Sequence, residues 1–121
     1  MKTITEEIWL PVVGYEGRYS VSNRGRVRTE IFSTQLKPGD IRKPQVDYKG
    51  YLRVDLFFQR GEKPKHEKVH SLVMAAFRGP RPAGWHIDHL NRDRADCRLE
   101  NLEYVTVNEN NRRAAQVRKA A

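Results

Sequence analysis

The sequence predicts an α+β fold, with an N-terminal small antiparallel β region plus an amphipathic helix, followed by a strand–loop–strand–helix unit. Three observations predict it. Residues 51–58 alternate with the period of two that is typical of a half-buried strand. Residues 69–77 then repeat apolar side chains with helical spacing. After residue 84, two short apolar runs enclose a polar loop and precede a basic segment with a helix-capping sequence.

The predicted β region begins with a hairpin. Residues 19–22 and 26–28 are predicted as short strands, because Asn23, Arg24 and Gly25 between them suit a tight turn. A loop of low regularity follows, marked by proline and glycine between residues 38 and 44. The strand at 51–58 buries one face and leaves Arg53 on the face available to solvent or a ligand. Residues 67–69 are predicted to return as its partner strand.

An amphipathic helix is predicted from Val69 to Phe77, and Gly79-Pro80 ends it. We interpret His70 in this helix as a structural residue that bridges the helix and the C-terminal unit. That unit has strands at 85–88 and 102–105 and a helix that Thr106 caps. The chain therefore divides into an N-terminal β-rich region, 1–68, and a C-terminal region, 69–121, which are expected to form one continuous compact unit.

The composition favours a polyanionic partner. The 121 residues include 23 Lys and Arg against 15 Asp and Glu, which gives a formal charge of +8. Such a balance suits nucleic acid first. The single cysteine, Cys97, excludes an internal disulfide framework and a multi-cysteine zinc site, and fits a reducing compartment. No apolar run approaches the roughly 20 residues of a membrane span, and no signal-peptide core is visible at the N-terminus. We expect a cytoplasmic protein with no membrane role.

Four polar residues of the C-terminal unit are candidates for chemistry: Asp88, His89, Asn101 and Asn110. Each also has an ordinary structural explanation. Asp88 and His89 could be a turn residue and an exposed histidine. They point to opposite faces of a regular strand, so a shared role requires the strand to end or bulge there. Asn101 could simply close the loop.

Asn110 is harder to explain as a structural residue. It shares a helix stripe with Ala114 and Val117, which is expected to face inward. A polar side chain on an inward face needs a partner, and a metal opposite Asp88 is one candidate. The alternative is a solvent-exposed amide on a short helix.

The segment 87–102 (Ile-Asp-His-Leu-Asn-Arg-Asp-Arg-Ala-Asp-Cys-Arg-Leu-Glu-Asn-Leu) resembles the signature of the HNH (His-Me finger) endonucleases. In that family an Asx-His pair ends the first strand, and Asn-Leu opens the second strand after a loop. Here the asparagine lies twelve residues after His89, and Asn110 follows nine residues later. The resemblance covers roughly residues 69–113. It implies a ββα-metal nuclease unit that hydrolyses phosphodiester bonds.

The resemblance also implies a role for each candidate. His89 is the general base, and Asp88 and Asn110 bind one Mg²⁺ or Mn²⁺ ion. Asn101 orients His89 through a hydrogen bond between the other ring nitrogen and either the Asn101 side chain or its backbone carbonyl. The residue types suit these roles. A neutral imidazole can take a proton from water near neutral pH. A hard divalent cation prefers oxygen ligands and needs only one or two from the protein.

A second resemblance lies in residues 7–28. The pieces Trp-x-Pro, Gly-Tyr-Glu-Gly and Tyr-x-Val-Ser-Asn-x-Gly-Arg-Val-Arg are similar to the nuclease-associated modular motif at the front of phage and intron-encoded homing endonucleases. This implies DNA binding by the hairpin through Arg24, Arg26 and Arg28. A two-stranded ribbon can enter the major groove. The alternative is a solvated basic hairpin that packs on the core through its aromatic residues.

Further basic residues complete the predicted DNA-binding set. Arg112 and Arg113 make the final helix basic and could neutralise phosphates beside the site, and Arg53 lies on the open face of its strand. The alternative is a set of solvated charges.

Three functions are weighed. The favoured one is a metal-dependent HNH endonuclease of the homing type, from a phage or mobile element, acting on double-stranded DNA, since all four motif positions are intact. The second is a catalytically inactive DNA-binding module of the same fold. The third is an RNA-binding domain that uses Tyr51 and Phe57 beside Arg53. A single site cuts one strand per encounter, so double-strand cleavage requires a homodimer or a second binding event.

Overall fold

The computed structural model describes residues 6–59 and 61–120 as small antiparallel sheets with two α-helices, which confirms the predicted α+β class. The strands are β1 (Trp9–Pro11), β2 (Tyr19–Ser22), β3 (Val27–Thr29), β4 (Ile41–Arg42), β5 (Gln45–Val46), β6 (Leu52–Leu56), β7 (Lys65–Lys68), β8 (Trp85–His89) and β9 (Leu102–Thr106). The helices are α1 (Val69–Arg78) and α2 (Val107–Ala120), and a 3-10 turn (Leu99–Asn101) precedes β9. Within the described ranges, neither helix has the length and apolar character needed to cross a membrane. The expectation of no signal peptide concerns the N-terminus, of which residues 1–5 lie outside the described residues.

The N-terminal sheet contains β1 to β4 in sequence order, all antiparallel. Its β2–β3 hairpin forms where the sequence predicts it, with Val21 paired to Val27 across the turn. β4 and β5 fall in the segment predicted as an irregular loop. Each has two residues, which is too short to show an alternating pattern.

The second sheet is built around β6, with β5 and β7 as its antiparallel neighbours. The predicted alternation holds from residue 52 to residue 56, where Val54 and Leu56 are buried and Arg53 and Asp55 are partly exposed. The strand ends two residues earlier than predicted. The backbone N–H of Phe57 donates to the Tyr19 hydroxyl at 3.2 Å, so it serves the contact between the two sheets rather than the β6–β7 ladder.

The β8–β9 hairpin lies between the two helices. Cross-strand partners share a face, and the register pairs His89 with Leu102 on the face toward α1. Asp88 pairs with Glu103 on the face toward α2. α2 begins with the predicted cap, in which the Thr106 hydroxyl accepts a hydrogen bond from the backbone N–H three residues later at 3.1 Å.

The buried core draws on both halves of the chain. The loop between β1 and β2 contributes Val12 and Tyr15, and the N-terminal sheet and β6 contribute Tyr19, Val21, Val27, Val54 and Leu56. α1 and the C-terminal unit contribute Val69, Leu72, Val73, Met74, Cys97 and Leu102. The shared interior therefore positions the end of β8 relative to the N-terminal hairpin.

The β2–β3 turn packs directly on the loop that follows β8. Gly25 has a φ of +83°, and a Cβ there would lie 2.8 Å from the Cys97 carbonyl oxygen. The backbone N–H of Leu99 donates to the Asn23 carbonyl at 2.8 Å. The N-terminal hairpin thus holds the loop that leads from β8 to β9.

Gly25→Ala is expected to destabilise the protein by about 3 kcal/mol, because the new Cβ adds a steric clash to the cost of a left-handed residue. Gly14→Ala is the matched control, since Gly14 has a φ of +90° with no atom within 4 Å of the added Cβ. It carries only the backbone cost of about 1 kcal/mol. Urea unfolding of both variants measures the difference. Equal losses would mean that the added Cβ meets no steric clash with the loop.

Candidate active site

Asp88 and His89 are the last two residues of β8, and each is only 5% exposed. The strand continues one residue further than predicted and pairs regularly up to His89. The two side chains therefore point to opposite faces of the hairpin, Asp88 toward α2 and His89 toward α1. The strand ends directly after His89, where the Arg92 N–H donates to its carbonyl at 2.9 Å. Asp88 and His89 can therefore act on the same substrate only if that substrate contacts both faces of the hairpin at the end of β8.

The His89 ring packs against two other rings. Its centroid lies 5.1 Å from that of His70 in α1 and 5.7 Å from that of Tyr51 before β6. In the described part of the chain, its Nε2 is buried without a hydrogen-bond partner. Burial lowers the pKa of His89, while the nearby carboxylate of Asp88 acts in the opposite direction. The neutral imidazole, which can accept a proton, is therefore the dominant form at neutral pH.

His70 bridges α1 and the C-terminal unit, in agreement with its structural interpretation. It is 9% exposed, and its ring lies edge-on to Tyr51 with 5.2 Å between centroids. Burial, followed by repulsion from His89 and Lys68, lowers the pKa of His70 to about 4. His70 is therefore an uncharged part of the wall against which His89 packs.

His70 is expected to make the fold sensitive to acid. The unfolded chain takes up this proton near pH 6.5 and the folded chain only near pH 4, so stability is complete above pH 6.5 and is lost as pH falls. The loss between pH 7 and pH 4 is about 3 kcal/mol. Urea unfolding across this range should show a flatter dependence in His70→Gln than in the wild type. His86→Gln, at an exposed histidine, should leave the dependence unchanged. An equal pH dependence in His70→Gln and the wild type would contradict the assignment.

The Asp88 carboxylate is neutralised by two arginines. Arg113 of α2 donates from Nη1 to Oδ2 at 2.8 Å, and Arg92 donates from Nη1 to Oδ1 at 3.4 Å. Arg92 reaches back from the loop after β8, where it has a left-handed φ of 67°. A buried carboxylate is stable only with positive charge against it. The guanidinium groups supply that charge here, at the oxygens that a metal ion would otherwise engage.

Asn110 lies one turn before Arg113 on the same side of α2, and it is half-buried. The prediction that Ala114 and Val117 face inward together with Asn110 is wrong, since Ala114 is exposed and Val117 is 45% exposed. The charged Arg113, rather than Ala114, turns toward Asp88. The amide of Asn110 thus lies on the helix side that faces the Asp88 carboxylate. A carboxylate and an amide oxygen form a donor set that fits a hard divalent cation.

No group of three or more His, Cys, Asp or Glu side chains that could hold a metal ion occurs in residues 6–59 and 61–120. A closed structural metal site is therefore not formed by these side chains in the described part of the chain. The donor pair of Asp88 and Asn110 instead fits an ion that takes few ligands from the protein and the rest from phosphate and water.

Asn101 is buried in the loop between β8 and β9. Its Oδ1 accepts from the Asn91 N–H and its Nδ2 donates to the Asp96 carbonyl, both at 2.9 Å. Its own carbonyl accepts from the Leu90 N–H at 2.8 Å. Among the described residues no hydrogen bond joins Asn101 to the His89 ring, which corrects the predicted contact. The amide is committed to the loop, so Asn101 can act on His89 only through the adjacent Leu90 backbone.

Arg26 and Arg28 of the N-terminal hairpin both lie against the Trp9 ring. The guanidinium carbons of Arg26 and Arg28 lie 5.6 Å and 4.3 Å from the Trp9 ring centroid. Both are also paired with acids, Arg26 with Glu7 and Arg28 with Glu30. The hydrogen bond from Arg26 holds the pKa of Glu7 down at about 2. The two cations are therefore ordered on the surface and partly neutralised.

The other predicted DNA-binding arginines lie in separate places. Arg24 is exposed at the tip of the hairpin turn. Arg53 donates from Nη2 to the Gln45 side chain at 2.8 Å, and Arg112 pairs with Glu109 at 2.6 Å. The structure thus brings Arg113 to the candidate site and leaves these three arginines on surfaces around it.

Sequence reasoning gave no role in the site to several side chains that surround Asp88 and His89. Tyr51 and His70 pack on the His89 ring, Arg92 reaches the Asp88 carboxylate, and Arg94 lies 5.0 Å from the Tyr51 ring centroid. The available signal was the concentration of arginine in the loop after His89, which the prediction treated only as a polar loop.

Two family models match this chain. The model described as HNH endonuclease matches residues 67–112, and the one described as NUMOD4 motif matches residues 7–57. The matched segments contain the candidate active site and the N-terminal hairpin, respectively.

Two proteins and one solved structure show the extent of the similarity. The DNA endonuclease I-HmuI of Bacillus phage SP01 is 37% identical over 98 residues, which cover 81% of this chain and 52% of that protein. An uncharacterized HNH endonuclease of Acanthamoeba polyphaga mimivirus is 34% identical over 119 residues, 86% of this chain and 25% of that protein. The structure that describes DNA binding and cleavage by the HNH homing endonuclease I-HmuI matches with a TM-score of 0.74 and 33% identity, over 94% of this chain and 60% of that chain. This chain thus spans about half the length of the phage relative.

Proposed function

This chain carries an HNH endonuclease domain behind a NUMOD4 motif and is homologous to the phage homing endonuclease I-HmuI, and from this premise we propose that it is a metal-dependent endonuclease. Its substrate is double-stranded DNA, and its reaction is hydrolysis of a phosphodiester bond. The compartment that we propose is the reducing cytoplasm of a host cell, since Cys97 is a buried free thiol.

The observation that carries this proposal is the buried His89 imidazole with an unpartnered nitrogen at the end of β8. An unsatisfied buried nitrogen is costly, and a water molecule brought in by a bound phosphodiester can satisfy it. His89 then takes the proton from this water as it attacks phosphorus. Packing against Tyr51 and His70 fixes the ring, and burial keeps it neutral.

Asp88 and Asn110 would hold one Mg²⁺ or Mn²⁺ ion. When bound, such an ion supplies Lewis-acid stabilisation of the negative charge that develops on the phosphate. An ion on Asp88 would compete with Arg113 for the carboxylate, and a released guanidinium can hold a phosphate oxygen instead. Asn101 is a positioning residue in this proposal, because it closes the loop directly after His89.

The DNA-binding surface that we propose combines the hairpin arginines with those around the site: Arg24, Arg26, Arg28, Arg53, Arg112 and Arg113. The formal charge of +8 supports a polyanionic partner. Arg26 and Arg28 are well suited to bind phosphate because their side chains are already ordered against the Trp9 ring. They therefore lose less side-chain entropy when they bind DNA. One site cuts one strand, so a homodimer or a second encounter is needed for a double-strand break.

The direct test is incubation of the purified chain with supercoiled plasmid and phage DNA. We expect nicked or linear products with Mg²⁺ or Mn²⁺ and none with EDTA. If several DNAs stay intact with both metals while a mobility shift shows binding, the chain is a DNA-binding module without catalysis. If it neither cuts nor binds DNA, the proposed function is wrong.

A further inference from the structure

A rigid turn lies beside His89 on the α1 side of the hairpin. It joins β5 to β6, and Gly50 closes it with a φ of +91°. The Asp47 carboxylate accepts hydrogen bonds from the backbone N–H groups of Lys49 at 2.8 Å and Tyr51 at 3.0 Å. Arg94 donates from Nη1 to the Lys49 carbonyl at 2.9 Å, which ties the turn to the loop after His89. The turn is therefore held in a fixed position next to the base.

Two tyrosines and three cations meet at this turn. We call the group the Tyr48 surface, and its members are Tyr48, Lys49, Tyr51, Lys68 and Arg94. The Lys68 Nζ lies 4.5 Å and the Arg94 Cζ 5.0 Å from the Tyr51 centroid. The Lys49 Nζ lies 5.6 Å from the Tyr48 centroid. Positive charge and aromatic rings thus alternate along this turn, and one of the rings, that of Tyr51, lies next to His89.

Tyr48 contributes almost nothing to the folded interior, since 92% of its surface is exposed. An aromatic ring at the tip of an ordered turn, with a lysine beside it, has the chemistry that stacks on a nucleobase. Inside a duplex the faces of each base are covered by its neighbours. The ring therefore fits a base that has left the stack.

We propose that the Tyr48 surface binds a locally unstacked DNA strand next to the cleaved bond, with its cations on the phosphates and Tyr48 on a base. This inference rests on the proposed function, because only cleavage at His89 would place a DNA strand next to this surface. Tyr51 links the two places, with its ring 5.7 Å from His89. The cations alone would suit any polyanion, but the exposed Tyr48 ring offers a face on which a nucleobase can stack, and this favours a nucleic-acid strand over an acidic protein.

The test compares Tyr48→Ala with Phe32→Ala, which removes another exposed aromatic residue, 81% exposed, from a different part of the surface. Fluorescence anisotropy with labelled oligo(dT) and with a mixed-sequence duplex gives the two dissociation constants. We expect Tyr48→Ala to weaken oligo(dT) binding about 10-fold and duplex binding much less. Tyr48→Phe should bind both DNAs as the wild type does, because stacking needs the ring and not the hydroxyl. Phe32→Ala should change neither constant.

The proposal is overturned if Tyr48→Ala binds oligo(dT) like the wild type, or if it weakens both DNAs equally. Arg94→Gln supplies a second measurement and should reduce the salt dependence of oligo(dT) binding; an unchanged slope counts against the phosphate contacts. Plasmid cleavage by the same wild-type preparation separates the two proposals. A wild type that cuts plasmid beside an unaffected Tyr48→Ala variant overturns the Tyr48 surface alone. A wild type that neither cuts nor binds overturns both.

Discussion

His89→Ala should lower the single-turnover rate of DNA cleavage by about two to four orders of magnitude, the usual contribution of a general base. DNA affinity should change little, because the ring is buried beside Tyr51 and His70 rather than on the surface that meets phosphates. Cleavage under excess enzyme and mobility shifts without metal measure the two effects separately. Since alanine leaves a cavity, His89→Gln serves as a second variant that fills more of the space.

His66→Ala is the matched control for this prediction, since His66 is an exposed histidine of β7 and should keep wild-type cleavage. The pH dependence gives an independent check. Burial lowers the pKa of His89, so wild-type cleavage should persist at and somewhat below pH 6.5 and fall only in more acidic solution. An equal loss of binding and cleavage in His89→Ala and His89→Gln would assign the histidine a structural role.

Elements with a strong local pattern were predictable from the sequence. β6 and α1 were found because their apolar residues repeat with periods of two and 3.6 along consecutive positions. The start of α2 was found because the Thr106 cap acts on a backbone N–H only three residues away. β4 and β5 were missed because two residues cannot show a period, and their pairing depends on strands elsewhere in the chain.

The candidate site was predictable only where neighbouring residues define it. Asp88 and His89 could be identified because they are neighbours within one motif. Which helix each side chain faces depends on how the hairpin packs between the two helices, and the motif does not show this. The Arg113–Asp88 pair joins residues 25 positions apart, and the Tyr51–His89 contact joins residues from different sheets. The predicted contact between Asn101 and His89 fails for a different reason. The Asn101 side chain forms its hydrogen bonds within its own loop, and the spacing of residues in the sequence does not reveal this.

The second large effect concerns the metal. Asp88→Asn should remove most of the Tm increase that Mg²⁺ or Mn²⁺ produces and lower cleavage by about two orders of magnitude or more, because a neutral amide is a weak ligand for a hard cation. The variant should still fold. Arg113 keeps hydrogen bonds to Glu103 and Glu109 when the carboxylate is gone, so no buried charge is left without a partner.

Arg113→Gln removes the other partner of the Asp88–Arg113 ion pair and serves as the comparison for Asp88→Asn. It leaves Asp88 buried with Arg92 at 3.4 Å as its remaining cation, so the metal-free protein should lose stability. In this variant the metal ion no longer competes with Arg113 and should bind more tightly. Because stabilisation by a ligand grows with the ratio of its concentration to its Kd, the metal should produce a larger Tm shift than in the wild type. Opposite changes in the two variants require that metal and guanidinium share Asp88. Metal-induced shifts equal to the wild type in both would remove Asp88 from the metal site.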